Sequence, residues 1–166
     1  MAQSCRLALA LAAQDKYTLK IPDGLPWSNF RGYEDWQDVA VSQTETSLKV
    51  IAANDVMIKA FRDGLPTDGK LFPDGSKITK RVVFQKNPVS PYFVQVPDTL
   101  KTVAFIEKDT KRFPSTHGWA CAQWEYDRAT ETFSPSKLDP RGAECGFSCH
   151  TRVAGQDYIF TAYPKR

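Results

Sequence analysis

The stretch that decides the fold is KITKRVVFQ, residues 77–85, because it has the clearest β-strand pattern in the chain. Side chains alternate between the two faces of a strand. One face therefore carries Ile78, Lys80, Val82 and Phe84. This face is the more apolar one and places Lys80 among core residues, where the pKa of a lysine falls and its amine becomes nucleophilic. The alternative is that Lys80 lies near a strand end and extends its ammonium group to water.

Segments rich in β-branched and aromatic residues predict further strands on both sides of this one. They are DVAVSQ (38–43), SLKVIAA (47–53), KTVAFIEK (101–108), GWACAQWEYD (118–127) and DYIFTAY (157–163). Asn54 is a favourable N-cap for a short helix over residues 55–63. RATETFSPSKLDPRGAE, residues 128–144, is predicted to be a long surface loop. We therefore predict a single α+β domain over residues 14–166, with a mainly antiparallel β-sheet and a few short helices.

Composition narrows the class of protein. The chain has 166 residues, of which 42% are hydrophobic and 25% are charged, as is usual for a globular domain. Its net charge is only +3, and no run of basic residues argues for binding to nucleic acid. No apolar run is long enough to predict a membrane span.

The segment AECGFSCH, residues 143–150, nearly matches C-x-x-C-H, the signature of covalent haem attachment. In that motif two thiols bond to the haem vinyl groups, and the histidine is an axial ligand of the iron. Here these roles fall to Cys145, Cys149 and His150, with one extra residue between the cysteines and Gly146 to permit a bulge. A local disulfide, a redox pair of thiols or another metal site is the alternative on this segment alone.

The N-terminus has the pattern of a secretory signal peptide. Arg6 precedes the apolar run 7–13, and Ala10, Leu11 and Ala12 form an A-x-A cleavage pattern. We predict a leader over residues 1–13 and export to a bacterial periplasm, which tolerates disulfides and contains the machinery that attaches haem. The alternative is a short, frayed N-terminal helix.

Several other residues are candidates for a haem site. Glu144 is a candidate proton-handling carboxylate, with a solvated loop charge as the alternative. Phe72 is a candidate for the distal side of the haem or, equally, for anchoring the Pro-Asp-Gly turn that follows it. His117 and Met57 are the other candidate iron ligands, but a loop position and a core position are the simpler interpretations, which leave the distal position open. Cys121 is predicted to be a buried thiol.

Five stretches together resemble the cytochrome P-460 family. They are residues 30–64, FPDGSKITK (72–80), HGWACAQWEYD (117–127), CGFSCH (145–150) and DYIFTAYPKR (157–166). The family comprises exported bacterial mono-haem c-type cytochromes with a mainly antiparallel β fold. The resemblance implies that Cys145 and Cys149 carry the haem and that His150 is its proximal ligand. In the catalytic branch a lysine after the F-x-D-G turn is bonded to the haem edge, and this lysine matches Lys80.

The resemblance also implies a function. Catalytic members are oxidoreductases that oxidise hydroxylamine at a five-coordinate iron, whereas the related cytochrome c′-beta branch binds nitric oxide in an apolar distal pocket. We therefore expect redox chemistry on, or binding of, a small nitrogen species, with a periplasmic electron acceptor as partner and a homodimer as a common state. The alternatives are electron transfer or gas binding without catalysis, and a haemless domain with a Cys145–Cys149 disulfide.

Overall fold

The central element of the structure is a six-stranded antiparallel sheet whose strands lie side by side in chain order. A computed structural model describes residues 13–21, 24–67, 69–86, 96–136 and 143–163, with the backbone alone at 85–86 and 143–146. The strands are β1 (Gln37–Gln43), β2 (Ser47–Ala53), β3 (Lys77–Lys86), β4 (Val96–Lys108), β5 (Trp119–Asp127) and β6 (Thr132–Pro135). The predicted fold class, one α+β domain with an antiparallel sheet, is confirmed.

Short helices complete the described part of the chain. The α-helices are α1 (Asp55–Arg62), between β2 and β3, and α2 (Ala143–His150), after β6. The 3-10 helices are Lys16–Thr18, Trp27–Phe30, Tyr33–Asp35, Pro114–Thr116 and Thr151–Gln156. None of the helices in these ranges combines the length and the apolar character that crossing a membrane requires.

One face of the sheet is covered by the N-terminal segment. Trp27 and Phe30 of the second 3-10 helix are fully buried against Phe105 of β4 and Trp124 of β5. Phe30 stacks on Phe105 with ring centroids 4.1 Å apart, and Trp27 lies 4.9 Å from Trp124. Gln14 also belongs to the fold, because its side-chain amide bonds to both the N–H and the C=O group of Phe133.

The predicted leader lies outside the described residues apart from Ala13, and its cleavage remains a prediction.

The opposite face of the sheet holds a second core at one end. Met57 and Phe61 of α1 pack there with Ile78 of β3, Trp119 of β5 and Phe147 of α2. The apolar positions of α1 are three or four residues apart, so they share the helix face that meets the sheet. Beyond this core the same face of β3 continues with Lys80. The predicted alternation is therefore confirmed at Ile78 and Lys80, and it directs Lys80 to the side that α2 partly covers. Phe84, predicted on the same inner face, is instead 43% exposed, because the register of β3 shifts after Val82.

Two expectations for the C-terminal third were wrong. Residues 157–163 form no strand, because Asp157 and Tyr158 have positive φ angles of 49° and 63°, which no β-strand accommodates. The predicted loop 128–144 contains β6, which pairs with β5 through Trp124 and Pro135. A proline and a turn-rich composition concealed this short edge strand, where a proline is tolerated.

Asn54 offers a test of the fold at the start of α1. Its Oδ1 accepts hydrogen bonds from the Met57 and Lys77 N–H groups at 3.1 and 3.0 Å, and its Nδ2 donates to the Gly75 carbonyl at 2.9 Å. Asn54→Ala removes all three bonds, so we expect the free energy of unfolding to fall by about 2 kcal/mol in urea titration. Asn54→Asp keeps the acceptor and is the control, with a smaller loss. A loss below about 0.5 kcal/mol for Asn54→Ala would contradict the assigned cap.

Candidate functional site

A cavity lies between the sheet and the segment formed by α2 and residues 157–161. Its volume is about 430 Å³, within the range of small-molecule sites. Apolar side chains predominate among the described residues that line it, which are Ile78, Lys80, Ala104, Phe105, Ile106, Cys121, Ala122, Gln123, Ser148, Cys149, His150, Ile159, Phe160 and Thr161. Three residues singled out in the sequence, Lys80, Cys149 and His150, thus meet at one cavity.

The floor of the cavity consists of two rows of side chains that run across the sheet. In one row Lys80 pairs with Ala104 of β4, which pairs with Gln123 of β5. In the next row Ile106 of β4 pairs with Cys121 of β5. Successive strands bring these residues side by side on one face, and the small Ala104 leaves space beside the long Lys80 side chain. The small Ala104 side chain beside Lys80 therefore contributes to the space at the floor of the cavity.

Lys80 is partly buried on this floor. Burial lowers the pKa of its amine below the ordinary lysine value, and repulsion from the Lys49 ammonium lowers that pKa further. The Cys121 and Cys149 thiols oppose this change by favouring the charged form. A larger fraction of Lys80 is therefore in the neutral amine form near neutral pH than in a solvated lysine, and only this form attacks as a nucleophile or accepts a proton.

His150 is the last residue of α2, and its ring has a defined hydrogen bond. Its Nδ1 lies 2.6 Å from the carbonyl oxygen of Tyr158. A carbonyl oxygen only accepts, so Nδ1 carries the proton and Nε2 keeps its lone pair. Burial lowers the pKa of His150, and the Lys80 ammonium lowers it further, against an opposing effect of the Tyr158 hydrogen bond. A neutral imidazole held through Nδ1 is the usual arrangement of a histidine that binds a metal.

The cysteine pair is accommodated by a regular helix. α2 continues from Ala143 to His150 and includes Gly146, so the extra residue lies within the helix and not in a bulge. Cys145 and Cys149 are one turn apart in it, and a separation of four residues keeps two positions on the same helix face, as a separation of three does. Cys149 is exposed, forms no disulfide and lines the cavity. The side chains of Cys145 and Glu144 lie outside the described residues.

The remaining candidates are not brought to the cavity. Phe72 is a core residue with its ring 5.2 Å from Phe61 and 6.2 Å from Trp119, because its N–H group is held by the Asp157 carboxylate. Of the two interpretations of Phe72, the structure therefore favours the aromatic that anchors the turn over a place in the cavity. Met57 is fully buried in the same core, whereas His117 is exposed and stacks on Tyr158 at 4.9 Å. Neither of these two is among the residues that line the cavity.

The structure adds one residue that the sequence did not single out, Tyr158, and a new place for another, Cys121. Tyr158 supplies the carbonyl for His150, and Cys121 proves to line the cavity as well as being buried outside any disulfide, as predicted. The backbone carbonyl of Tyr158 carries no signal in the sequence, since every residue has one. Cys121 was detectable, because the alternation of β5 places it on the same face as Trp119 and Gln123.

Comparison with known proteins identifies the family of the chain. No curated protein matches the chain. The family model described as Cytochrome P460 matches residues 30–161, which include Lys80, the cysteine pair and His150. The matched region covers most of the chain and all of the cavity. The chain therefore belongs to the cytochrome P460 family and is a haem-binding cytochrome.

Proposed function

We propose that the chain is an exported c-type cytochrome that binds or oxidises a small nitrogen compound, hydroxylamine or nitric oxide. It holds one haem through Cys145 and Cys149, with His150 as the proximal iron ligand and the distal position open. The observation that carries the proposal is the meeting of Lys80, Cys149 and His150 at one apolar cavity, with the Nδ1 atom of His150 held by the Tyr158 carbonyl.

The residues present suit a haem. The cavity walls are mainly aliphatic and aromatic, as the flat apolar macrocycle requires, and one neutral imidazole is available for the iron. Cys149 and His150 are adjacent in sequence, and both line the cavity. A thiol next to an axial ligand is the combination that covalent haem attachment needs.

A second depression suits the carboxylate edge of the haem. It has a volume of about 520 Å³ and shares Gln123 with the cavity, so the two lie next to each other on the sheet. Lys49, Lys101 and Glu125 line it. The Glu125 carboxylate accepts a hydrogen bond from Ser136 Oγ at 3.0 Å, and the Lys101 ammonium lies 5.4 Å from the centre of the Phe84 ring. Among the described residues, neither lysine has a carboxylate partner. The two lysines outnumber the one carboxylate, so a net positive charge lies beside an apolar cavity and favours a ligand with an apolar body and an anionic edge.

Each side chain of the cavity has a separate role in the proposed function. When bound, the haem supplies a redox-active iron with an open coordination position. The hydrogen bond to the Tyr158 carbonyl orients the His150 imidazole, and the apolar walls provide contacts for a flat apolar ligand. Lys80 supplies an amine with a lowered pKa, which suits the acceptance of a proton from a substrate. The same amine would suit a bond to the haem edge, in which one N–C bond would replace an N–H and a C–H bond while two protons are released and two electrons pass to an external oxidant such as a peroxide.

Gas binding without turnover is the second candidate, and one observation favours it. No aspartate or glutamate is among the lining residues that the structure describes, so Lys80 is the main candidate for a proton acceptor there. Oxidation of hydroxylamine releases protons, whereas binding of nitric oxide does not. If Lys80 is not available as a base, the site therefore suits binding better than oxidation.

Intact mass and visible absorption test the proposal most directly. The full chain is expressed in a bacterium that contains the haem-maturation machinery and is purified from its periplasm. We expect a mass increase of one haem per chain, a Soret band that survives denaturation, and a mature N-terminus near Gln14. Absence of both the mass increase and the Soret band would refute haem binding, and retention of the chain in the cytoplasm would refute export.

The second depression, which Lys49 and Lys101 line, gives a separate prediction. Haem-free protein is titrated with iron protoporphyrin and with its dimethyl ester, in which both carboxylates are neutral. We expect the free acid to bind about fivefold more tightly, as two partly exposed ion pairs of about 0.5 kcal/mol each would produce. Lys49→Gln together with Lys101→Gln should remove that preference without changing the affinity for the ester. Equal binding of both porphyrins to the unmodified chain would contradict the role of the two lysines.

A further inference from the structure

We propose that the buried ion pair of Lys108 and Asp157 is a positioning device that sets the orientation of the His150 ring. The proposal rests on the proposed function in one respect, that His150 is the iron ligand. Neither residue lines the cavity, and the sequence indicated no role for either. Both act through the backbone that carries the Tyr158 carbonyl.

The ion pair is enclosed and its carboxylate is fully satisfied. The side chains of Lys108 and Asp157 are 1% and 0% exposed, and their Nζ and Oδ2 atoms lie 2.5 Å apart. Asp157 Oδ2 also accepts a hydrogen bond from the Phe72 N–H group at 2.8 Å, and its Oδ1 accepts one from Trp119 Nε1 at 3.2 Å. The carboxylate thus has three donors, which fix its position and with it the backbone of Asp157.

Lys108 connects this carboxylate to the rigid sheet. It is the last residue of β4, and its N–H and C=O groups bond to the backbone of Ser76 and Gly75 at 2.9 and 2.8 Å. Its ammonium group lies 5.0 Å from the centre of the Trp119 ring, a favourable cation–π distance. The anchor is therefore held by β4, by the turn before β3 and by β5.

The backbone at Asp157 and Tyr158 is in an unfavourable conformation, which the carboxylate anchor holds together with backbone hydrogen bonds from their N–H groups to Ala154 and Val153. Both residues have positive φ, 49° and 63°, and each non-glycine residue held there is unfavourable by about 1–3 kcal/mol. These angles set the direction of the Tyr158 carbonyl, which accepts the His150 Nδ1–H bond at 2.6 Å. If the carboxylate were released, the two residues would relax and the carbonyl would move away from the ring.

The energetics of buried ion pairs also argue for a positioning role. Removing two charges from water is unfavourable, and an apolar pair of similar volume is often as stabilising. Loss of a single partner is instead strongly destabilising, because an unpaired charge stays buried. The ion pair is thus not the simplest way to stabilise this core, but it fixes one backbone conformation in a way that apolar contacts do not.

The test compares single and paired substitutions in the haem-loaded protein. Asp157→Asn and the double variant Lys108→Leu with Asp157→Leu are measured beside Met57→Ala, a control that weakens the same core away from Asp157. We expect the reduction equilibrium of the iron to shift about tenfold in both Asp157 variants, equal to about 59 mV for one electron. The reduction potential should rise, because a weaker Nδ1–H bond makes the imidazole a poorer electron donor. The Fe–His vibration should shift as well.

The controls separate positioning from stability. The double variant should lose stability about as much as Met57→Ala does, because the Phe72 N–H and Trp119 Nε1–H groups lose their acceptor, but only the double variant should show the altered potential. An unchanged potential and Fe–His vibration in either Asp157 variant would overturn the proposal. Failure of the double variant to fold, where Met57→Ala folds, would also overturn it, since the pair would then hold the fold and not the ring.

A second measurement needs no haem. In the haem-free chain, nitrogen NMR should show His150 with the proton on Nδ1 and should show a mixture of tautomers in Asp157→Asn. If the unmodified protein contains no haem but the tautomer changes as expected, the proposed function fails and the positioning role stands. If haem is present and neither the tautomer nor the potential changes, only the positioning role fails.

Discussion

Cys149→Ala is expected to reduce the haem that stays attached to the denatured protein by about tenfold or more, with a matching loss of Soret absorbance. Cys149 precedes His150 at the end of α2, and both side chains line the cavity. Loss of its thiol removes the attachment point next to the iron ligand, and we expect attachment through Cys145 alone, one helical turn away, to be inefficient. The measurement is absorbance after acid extraction, which removes haem that is bound without a covalent bond.

Cys121→Ala is the matched control for this prediction. Cys121 lines the same cavity from β5 and its thiol is buried, but it lies outside the motif. The variant should keep the attached haem of the unmodified protein. If Cys121→Ala loses as much haem as Cys149→Ala, the cavity and not the motif determines which thiol is attached, and the assignment of the cysteine pair is wrong.

Lys80→Met is the second substitution with a large expected effect. It should abolish the cross-link to the haem but increase the stability of the haem-free chain. Digestion of the haem-loaded protein should give a haem joined both to a Lys80 peptide and to the Cys149 peptide, and the variant should give only the latter. The variant spectrum should become that of an ordinary c-type haem. If the unmodified protein already gives only the Cys149 peptide, Lys80 forms no cross-link and binding without turnover is favoured.

The haem-free Lys80→Met chain should be more stable than the unmodified one by about 1 kcal/mol at pH 7, because an apolar side chain replaces a buried amine. The folded chain holds the pKa of Lys80 below its unfolded value of 10.5, so the unfolded state binds more protons at intermediate pH. The penalty is fully present below the folded pKa and disappears as pH rises to 10.5. The stability difference between the two proteins, measured in urea, should therefore shrink with increasing pH.

Lys101→Met is the control for stability. Lys101 is exposed on β4, so its replacement should change the free energy of unfolding by less than about 0.5 kcal/mol at any of these pH values. A loss of stability in Lys80→Met would mean that the Lys80 ammonium is well solvated or paired in the folded chain. The lowered pKa and the assignment of Lys80 as a nucleophile would then both be wrong.

The sequence predicted correctly those elements whose formation depends on neighbouring residues. Strand β3 and helix α1 were found because alternation and an N-cap are properties of neighbouring residues, and Asn54 indeed caps α1. The placement of Lys80 on the apolar face followed from the same alternation. The prediction of a strand over residues 157–163 was wrong because the composition of DYIFTAY is that of a strand. In the structure its first two residues have positive φ angles, and the buried Asp157 carboxylate stabilises that conformation.

By itself the sequence determined the antiparallel sheet, the face on which Lys80 lies and the order of Cys149 and His150 at the end of one segment. Each of these depends on side-chain periodicity or on covalent neighbours, which a linear pattern records. Only the tertiary structure decided that Lys80 and His150 share a cavity, that Phe72 lies in the core, and that the Tyr158 carbonyl holds the iron-ligand candidate. These depend on packing between distant segments, where burial and the pairing of Lys108 with Asp157 outweigh local preference.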